Sequence, residues 1–324
     1  MQQRALGPFQ VSAIGLGCMN LSHAYGAPVS AEQGERVLLA ALDAGVTLFD
    51  TAALYGFGAN ETLVGRVMKP HRHRFTLASK CGMQGVDVNG DGKLVRVIDG
   101  RPATLRQTCE DSLRRLQTDH IDLYQMHHID RDCPWEEVWQ AMEQLCREGK
   151  VLYIGSSNFA GWHIAQAQEL AKSRHFLGLI SEQSLYNLLE RTVELEVIPA
   201  CQAYGIGIIP WSPLARGLLG GALETHTSGR RAEEDVQKEI ATHRPKLEAY
   251  EQFCRRHQLA PAAVALAWLL HQPAVTSPII GPRTMEQLTT ATQSLELRLT
   301  PEHLTALDAI FPGPGGAAPE AYAW

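Results

Sequence analysis

Eight short apolar segments alternate with eight helix-like segments along this chain, and that alternation restricts the possible folds more than any other feature. Each apolar segment is bounded by Gly, Asp, Asn or Pro, as buried strands commonly are. The segments read AIGLGCM, TLFDTA, FTLASKCG, IDLYQMHH, VLYIGSS, GLISEQ, GIGIIPWSP and TSPIIG. Because they are apolar without strict alternation, we expect both faces of the sheet to be covered, as in a parallel sheet between helices.

The segments between them have helical patterns: SAEQGERVLLAALDAG, NETLVGRVM, PATLRQTCEDSLRRLQ, PWEEVWQAMEQLCREG, AGWHIAQAQELAKSR, RTVELEVIPACQAYG, PAAVALAWLLHQ and RTMEQLTTATQSL. Eight βα units within 324 residues fit a closed barrel better than an open, doubly wound sheet. The sequence therefore predicts the α/β class, as a closed (β/α)8 TIM barrel forming a single domain over residues 1–324. An N-terminal hairpin turning at Gly7 and Pro8, extra helices between residues 217 and 257, and an irregular Gly/Pro-rich C-terminal tail complete the prediction.

Composition and charge disfavour several classes of protein. The net charge is −6 and the basic residues are scattered, so nothing indicates nucleic acid or an anionic membrane as a partner. No apolar run approaches the roughly 20 residues that span a bilayer, and the first ten residues lack the apolar stretch of a signal peptide, so we expect a cytoplasmic protein. Seven cysteines without a CxxC pair argue against a disulfide framework and a zinc ribbon.

No metal site is predicted either. His71 and His73 have the spacing of metal ligands, but no further ligand lies nearby in sequence, so a surface pair is favoured. The stretch DVNGDG, residues 87–92, imitates the start of a calcium-binding loop, yet its twelfth position is Ile98, where such a loop needs a bidentate glutamate. We interpret it as a turn within a long loop.

Four chemically active side chains follow consecutive predicted strands. Asp50 ends the second strand with Tyr55 in the loop behind it, Lys80 ends the third, and His127 ends the fourth. In a parallel barrel these strand ends converge on one mouth, where active sites lie. A phenol has a pKa near ~10, and a Lys ammonium about 4 Å away is expected to lower it, which would make Tyr55 a general acid for a substrate carbonyl.

In the same arrangement Asp50 would keep Lys80 charged and oriented, and His127 would hydrogen-bond the substrate oxygen or the phenol. Each residue alone has a structural explanation. A tyrosine beside glycines commonly packs a loop, a lysine at a strand end is commonly solvated, and His127 with His128 could simply cap a strand. Only their joint placement at neighbouring strand ends favours catalysis.

At these residues the sequence resembles the aldo-keto reductase family. The resemblance extends over nearly the whole chain and rests on FDTAALYG, LASKCG, DLYQMHH, YIGSSNF, SEQSLYN, PWSPLARG and IIGPRTMEQL, which occur in order and at the matching strands. With Trp211 in PWSPL, the chain is similar to the branch that contains bacterial reductases and the β-subunits of potassium channels. The resemblance implies NADP(H)-dependent reduction of a carbonyl without metal or flavin. It makes Tyr55 the proton donor, tuned by Lys80 and Asp50, and lets His127 orient the substrate.

The resemblance also assigns residues to the cofactor. Ser157, Asn158 and Gln183 would hold the nicotinamide carboxamide, and Trp211 would lie flat against its ring. Arg216 and the loop around it would follow the pyrophosphate, and Arg283 would bind the 2′-phosphate, which predicts a preference for NADPH. The complete set is Gly17, Cys18, Met19, Asp50, Ser157, Asn158, Gln183, Trp211, Ser212, Pro213, Leu214, Arg216, Gly217, Gly281, Arg283 and Gln287.

The substrate is the least determined part of the prediction. The mouth residues Tyr25, Phe57 and His128, with the loop over residues 87–100, could build a pocket wider than a simple aldehyde needs. A small-molecule carbonyl is expected, and the C-terminal PEAYAW is similar to reductases of secondary metabolism, which suggests a keto- or enoyl-sugar nucleotide. The alternative is an NADPH-binding sensor or interaction subunit with slow turnover. A homo-oligomer is compatible with the sequence, which carries no signal for or against one.

Overall fold

The computed structural model describes residues 1–22, 29–90, 92–223 and 233–323. Its strands are β1 (Gln3–Leu6), β2 (Phe9–Ser12), β3 (Gly15–Gly17), β4 (Leu48–Asp50), β5 (Thr76–Cys81), β6 (Met83–Val86), β7 (Val95–Ile98), β8 (Ile121–Met126), β9 (Val151–Ser157), β10 (Leu179–Gln183), β11 (Gly207–Ile208) and β12 (Ile279–Ile280). Its helices are α1 (Met19–Ser22), α2 (Ala31–Asp43), α3 (Ala59–Met68), α4 (Pro102–Leu116), α5 (Trp135–Arg147), α6 (Gly161–Ser173), α7 (Val197–Tyr204), α8 (Glu234–Arg256), α9 (Pro261–His271), α10 (Met285–Gln293), α11 (Pro301–Ile310) and α12 (Glu320–Ala323).

Eight of the strands form one parallel sheet in the order β11-β10-β9-β8-β5-β4-β3-β12. Strands that follow one another along the chain are neighbours in it, and helices connect most of them, as βα units require. The predicted α/β class with eight parallel strands is confirmed. The ends of this order approach each other, because Ile208 exchanges backbone hydrogen bonds with Ala274 and Thr276, and Pro210 accepts one from Ile279 of β12.

The N-terminal hairpin covers the amino-terminal end of the parallel strands. β1 and β2 pair antiparallel about a turn in which Gly7 has a φ of +54°, a value that glycine adopts at low cost. From this hairpin Leu6 and Val11 enter a buried cluster inside the sheet, together with Leu48, Ala78, Leu123, Ile180, Ile209 and Ile279. The carboxyl ends of the strands are left for the polar residues.

Three local predictions differ from the structure. The last two predicted strands shrink to two residues each, because Pro210, Pro213 and Pro278 limit how far their backbones can join the sheet. The loop predicted around DVNGDG contains an antiparallel hairpin, β6 and β7, set outside the main sheet. The C-terminal tail, predicted to be irregular, ends in the short helix α12.

The extra helical pattern between residues 217 and 257 forms α8, which contains Pro245 in its interior. Within the described residues no helix is both long and apolar enough to cross a bilayer. The seven cysteines are all free thiols, and six of them are buried.

Candidate active site

Lys80 lies at the centre of a buried polar cluster at the carboxyl end of the sheet. Its side chain is 0% exposed. The ammonium donates to Asp50 Oδ2 at 2.6 Å, to the backbone oxygen of Thr51 at 3.0 Å and to the hydroxyl of Tyr55 at 3.1 Å. These three acceptors match the three N–H donors of a lysine, so the buried charge is both paired and fully hydrogen-bonded.

The chain reverses sharply behind β4 so that Tyr55 can reach this ammonium. Residues Tyr55–Gly58 form a short 3-10 turn, in which Gly56, Phe57 and Gly58 have φ values of +56°, +51° and +96°. A side chain at Gly58 would also meet Arg115 at 2.8 Å. Glycine is the residue that fits this conformation and this space, which explains the unusual YGFG sequence.

The pKa of Tyr55 departs from the sequence-based expectation. Burial raises the pKa above that of an ordinary phenol, Lys80 opposes the rise, and Asp50 adds to it. For Lys80, burial lowers the pKa, but Asp50 and Tyr55 outweigh it and the net pKa is raised. The ammonium therefore stays charged at neutral pH while the phenol keeps its proton. The expected lowering by Lys80 is present, but desolvation is larger.

Two glutamines hold the other oxygen of Asp50. Gln125 Nε2 donates to Oδ1 at 3.1 Å, and Gln183 Nε2 donates to the same atom at 2.9 Å. Gln125 was not predicted as a site residue. In the sequence, Gln125 lies two residues before His127, which places both side chains on the same face of the strand. In the structure, its amide is fully buried within β8.

His127 lies beside the phenol. The rings of Tyr55 and His127 meet edge to face with their centroids 5.6 Å apart. Burial, and next to it the charge of Lys80, hold the pKa of His127 well below its usual range, so the imidazole is neutral at physiological pH. Among the described residues, buried Nδ1 of His127 has no hydrogen-bond partner. Its neighbour His128 turns away and hydrogen-bonds the backbone oxygen of Ile129 at 2.9 Å.

The residues predicted for the carboxamide lie together next to this cluster. Ser157 donates to the backbone oxygen of Gln183 at 2.9 Å, and the backbone N–H of Asn158 donates to the same oxygen at 3.1 Å. The Asn158 side chain is exposed, and its Oδ1 accepts from Trp211 Nε1 at 3.0 Å. Asn158 thus fixes the orientation of the indole from a left-handed conformation with a φ of +59°.

The loop behind Trp211 has an unusual backbone. Ser212, Ala215, Arg216 and Gly217 all have positive φ values, between +46° and +98°. The hydroxyl of Ser212 accepts from the backbone N–H of Arg216 at 3.3 Å. Successive residues of this kind can form a concave surface of backbone amides that suits an anion.

The guanidinium of Arg216, by contrast, faces helix α8. It forms ion pairs with Glu239 at 2.6 Å, with Asp235, and with Glu233 at 3.7 Å. A pyrophosphate would have to compete with three carboxylates for this side chain, which its sequence position could not indicate.

The remaining predicted cofactor residues lie at the ends of β3 and β12. Gly17 is the register partner of Asp50 in the sheet. The next residue, Cys18, is fully buried, and its backbone N–H donates to the backbone oxygen of Asp50 at 2.8 Å. Met19 follows directly as the first residue of α1. Gly281 accepts a hydrogen bond from Asn20 at 2.8 Å.

Arg283 lies two residues ahead of helix α10. Its backbone N–H donates to Gln287 Oε1 at 2.7 Å, and its backbone oxygen accepts from Gln33 at 3.0 Å. Gln287 therefore stabilises the turn that carries Arg283, in addition to any contact it makes with a cofactor.

Pro213 and Leu214 belong to the loop behind Trp211. Pro213 is buried and Leu214 is partly buried.

One wall of the mouth comes from the unpredicted β6–β7 hairpin. A Cβ at Gly85 would lie 2.1 Å from the ring of Phe57, so this face of the hairpin contacts the residue two positions behind Tyr55. Arg96 is the register partner of Gly85 and projects from the same face. Its positive charge is near enough to contribute to the lowered pKa of His127. Tyr25, another of the three predicted mouth residues, lies outside the described residues.

The cluster combines a phenol, an ammonium, a carboxylate and an imidazole, which are groups that can take part in proton transfer. In the described part of the chain no three His, Cys, Asp or Glu side chains are grouped so that they could hold a metal ion. The structure brings Asp50, Tyr55, Lys80 and His127 to one end of the sheet. It adds Gln125 and Arg96, which the sequence did not single out.

Comparisons with known proteins show the family of this chain. The model of the Aldo/keto reductase family matches residues 13–311. The chain is 46% identical over 322 residues to "Uncharacterized oxidoreductase YrpG" of Bacillus subtilis (strain 168), covering 97% of each. It is 34% identical over 316 residues to "Probable aldo-keto reductase 1" of Glycine max, covering 94% of this chain and 86% of that protein. Among solved structures it is similar to the holo form of aldo-keto reductase AKR11C1 from Bacillus halodurans, with a TM-score of 0.79, 28% identity and 96% coverage of both chains. The resemblance seen in the sequence motifs is confirmed, and the chain belongs to the aldo/keto reductase family of oxidoreductases.

Proposed function

We propose that the protein reduces an aldehyde or ketone to an alcohol with NADPH, with Tyr55 as the general acid. The observation that carries this proposal is the hydroxyl of Tyr55 lying 3.1 Å from a buried ammonium that is itself paired with Asp50 at 2.6 Å. A lysine that served only to neutralise Asp50 would not need to contact a phenol. Here the third donor of Lys80 is aimed at the one phenol of the cluster, as proton transfer requires.

The residues around this phenol fit a nicotinamide cofactor. Trp211 is only partly buried, and its indole is held in place from the edge by Asn158, which leaves ring surface for stacking. Asn158 itself is exposed, beside the buried Ser157 and Gln183. The positive-φ loop from Ser212 supplies a surface for an anionic group. In this conformation the backbone of that loop is a better candidate for the pyrophosphate than the Arg216 side chain.

The chemistry follows from the charge states of the site. A bound reduced nicotinamide supplies the hydride that adds to the carbonyl carbon. His127, neutral at physiological pH, hydrogen-bonds the carbonyl oxygen, and Tyr55 transfers its proton to that oxygen. The raised pKa keeps the proton on Tyr55 until the far more basic alkoxide develops. The ammonium of Lys80 then stabilises the phenolate that remains, by about 5 kcal/mol of Coulomb energy at an effective dielectric near 20.

A turnover assay tests this function directly. Purified protein is mixed with NADPH and 4-nitrobenzaldehyde, and the loss of NADPH absorbance is followed. A robust enzyme-dependent loss supports the reductase. Tight NADPH binding without measurable turnover across a panel of aldehydes and ketones would instead favour a cofactor-sensing subunit.

The proposed preference for NADPH depends on Arg283. Replacing it with alanine removes a charge-assisted contact to the 2′-phosphate, so we expect the KM for NADPH to rise about tenfold to hundredfold. The KM for NADH, which lacks that phosphate, should change little. Initial rates with each cofactor at saturating aldehyde give both constants. Equal effects on the two cofactors would place the phosphate elsewhere.

We propose a sugar nucleotide with a keto or enoyl group as the specialised substrate. Support comes from the mouth, where the exposed Arg96 projects from the hairpin face that contacts Phe57. A cation at this position suits a substrate with an anionic diphosphate, and a neutral aldehyde makes no use of it.

The Arg96→Gln variant tests this substrate class. The KM for a nucleoside-diphosphate keto sugar should rise up to about fivefold, as expected for one exposed charge, while the KM for 4-nitrobenzaldehyde stays unchanged. Arg106→Gln makes the same charge change on helix α4 and serves as the control. A parallel rise for both substrates would contradict charge recognition by Arg96.

The architecture around the site is proposed to be a closed barrel that forms one domain over residues 1–324. The hydrogen bonds of Ile208 with the segment ahead of β12, and of Pro210 with Ile279 of β12, support closure. A cytoplasmic location and a homo-oligomeric state remain predictions.

A further inference from the structure

Glu182 is a buried carboxylate that the proposed chemistry does not use. It is the penultimate residue of β10, followed by Gln183, whose side chain faces Asp50 inside the sheet. Successive side chains of a strand point to opposite faces, so Glu182 points outward, beneath helices α6 and α7. It is 0% exposed. Among the described residues no Lys, Arg or His forms an ion pair with it.

Three donors converge on this carboxylate. Ser184 Oγ donates to Oε1 at 2.7 Å, Ser156 Oγ donates to Oε2, and the backbone N–H of Phe159 donates to Oε1 at 3.1 Å. Ser156 is also the register partner of Glu182 in the neighbouring strand β9. An ionised carboxylate is an acceptor only, which matches a surrounding of donors.

The contact with Phe159 connects Glu182 to the site. Phe159 follows Asn158, whose left-handed backbone places its side chain against Trp211. The backbone N–H of Asn158 is held by the oxygen of Gln183 at 3.1 Å. Both peptide N–H groups around this strained residue are therefore fixed by β10. Asparagine in the left-handed region is tolerated, but it needs such support to persist.

A buried carboxylate without a cation is costly, and an apolar side chain would suit a strand beneath helices better. Burial raises the pKa of Glu182 to about 7. The buried titratable groups on the helices packed over this strand are Cys201 on α7 and His163 on α6. Of the others, Glu169 and Lys172 on α6 are exposed and Tyr204 on α7 is partly buried. Burial raises the pKa of the Cys201 thiol and lowers that of the His163 imidazole, so both are neutral near pH 7.

We propose that Glu182 is a positioning residue for the cofactor site, which acts by holding the Asn158 turn and, through Asn158, the indole of Trp211. This inference rests on the proposed function, since it assigns the turn to nicotinamide binding. Glu182 touches neither substrate nor cofactor, so its loss should weaken the binding of NADPH more than the chemical step.

The main test compares Glu182→Leu with the parent protein. We expect the Kd and KM for NADPH to rise about tenfold, as for a lost hydrogen bond to a charged group, with the KM for 4-nitrobenzaldehyde within about twofold. In the protein without cofactor, the indole N–H resonance of Trp211, identified by its loss in Trp211→Phe, should shift in a 1H–15N spectrum.

Glu143→Leu is the matched control. It removes a buried glutamate that pairs with Arg174 at 2.5 Å in the α5–α6 layer, and it should lower the Tm without moving the Trp211 resonance or the Kd.

A second variant keeps the test valid if Glu182→Leu does not fold. Glu182→Gln resembles the protonated acid at every pH. The ratio of its NADPH Kd to that of the parent should be about three- to fivefold near pH 8, where Glu182 is ionised, and should approach one near pH 6.

Each outcome has a definite meaning. A parent protein that binds neither NADPH nor NADH overturns the proposed function and this inference with it. A parent that binds NADPH, together with Glu182 variants that change the Tm but not the Kd or the Trp211 resonance, overturns the positioning role alone. A pH-independent ratio for Glu182→Gln also counts against it.

Discussion

Replacing Tyr55 with phenylalanine is expected to lower kcat by about two to four orders of magnitude, the range that general acid catalysis contributes. The change removes a single oxygen, the one 3.1 Å from Lys80 Nζ, and leaves the ring against His127 in place. Binding of NADPH should change by less than about twofold, because the phenol is proposed to contact the substrate oxygen alone. Steady-state kinetics with 4-nitrobenzaldehyde and a fluorescence titration with NADPH measure the two effects.

Tyr153→Phe provides the matched control. Tyr153 lies on β9, and its ring contacts Phe9 of the N-terminal hairpin with centroids 4.9 Å apart, at the opposite end of the strands. Its loss of a hydroxyl should leave kcat within about twofold, as most substitutions away from a site do. A Tyr55→Phe variant with the parental kcat would show that another group supplies the proton.

The sequence was sufficient to predict that the proposed catalytic residues lie together, because their positions follow from topology. Asp50, Lys80 and His127 lie at or next to the carboxyl ends of the neighbouring strands β4, β5 and β8. The carboxyl ends of parallel strands meet at one edge whatever the side chains are. The glycines behind Tyr55 carry a similar signal, because a YGFG sequence resists both helix and strand. Such features depend on local pattern, which a single sequence contains.

What the sequence did not reveal depends on distances between residues far apart in the chain. The direction of the Tyr55 pKa shift is the balance between desolvation and the opposing charges of Lys80 and Asp50, and these contributions vary with packing that no motif encodes. Arg216 matched the family pattern, yet it is paired with acids of helix α8, such as Glu239. Gln125 carries no clear functional signal in the sequence, because polar residues within an apolar strand, such as Asp122 and Gln125 in β8, are most simply explained as core exceptions.

The short hairpin of β6 and β7 was missed for a different reason. Its strands are four residues long and lack alternation, so glycine and aspartate in the DVNGDG stretch dominated the local pattern. The contact between Gly85 and Phe57, together with the effect of the Arg96 charge on His127, shows that this hairpin belongs to the mouth. Prediction of a pocket wall from sequence therefore fails where the wall is an insertion between the regular βα units.

Replacing Lys80 with methionine is expected to destabilise the protein by about 3–5 kcal/mol and to reduce kcat as severely as Tyr55→Phe. Methionine is similar in length, so packing is largely kept, but Asp50 loses the ammonium at 2.6 Å while remaining buried. An uncompensated buried charge carries a penalty of that size. Urea unfolding followed by circular dichroism measures the stability, and the aldehyde assay measures kcat.

The double variant Asp50→Asn with Lys80→Met separates stability from catalysis. It removes both charges, and the asparagine keeps one oxygen that can accept from Gln125 and Gln183, which now donate to Asp50 Oδ1. Most of the lost free energy of unfolding should return, because replacing a buried ion pair as a whole is close to neutral. Turnover should stay absent, because no cation remains to stabilise the phenolate of Tyr55. If the double variant recovered turnover along with stability, the ion pair would be a folding element alone, and the proton-transfer role proposed for Lys80 would be wrong.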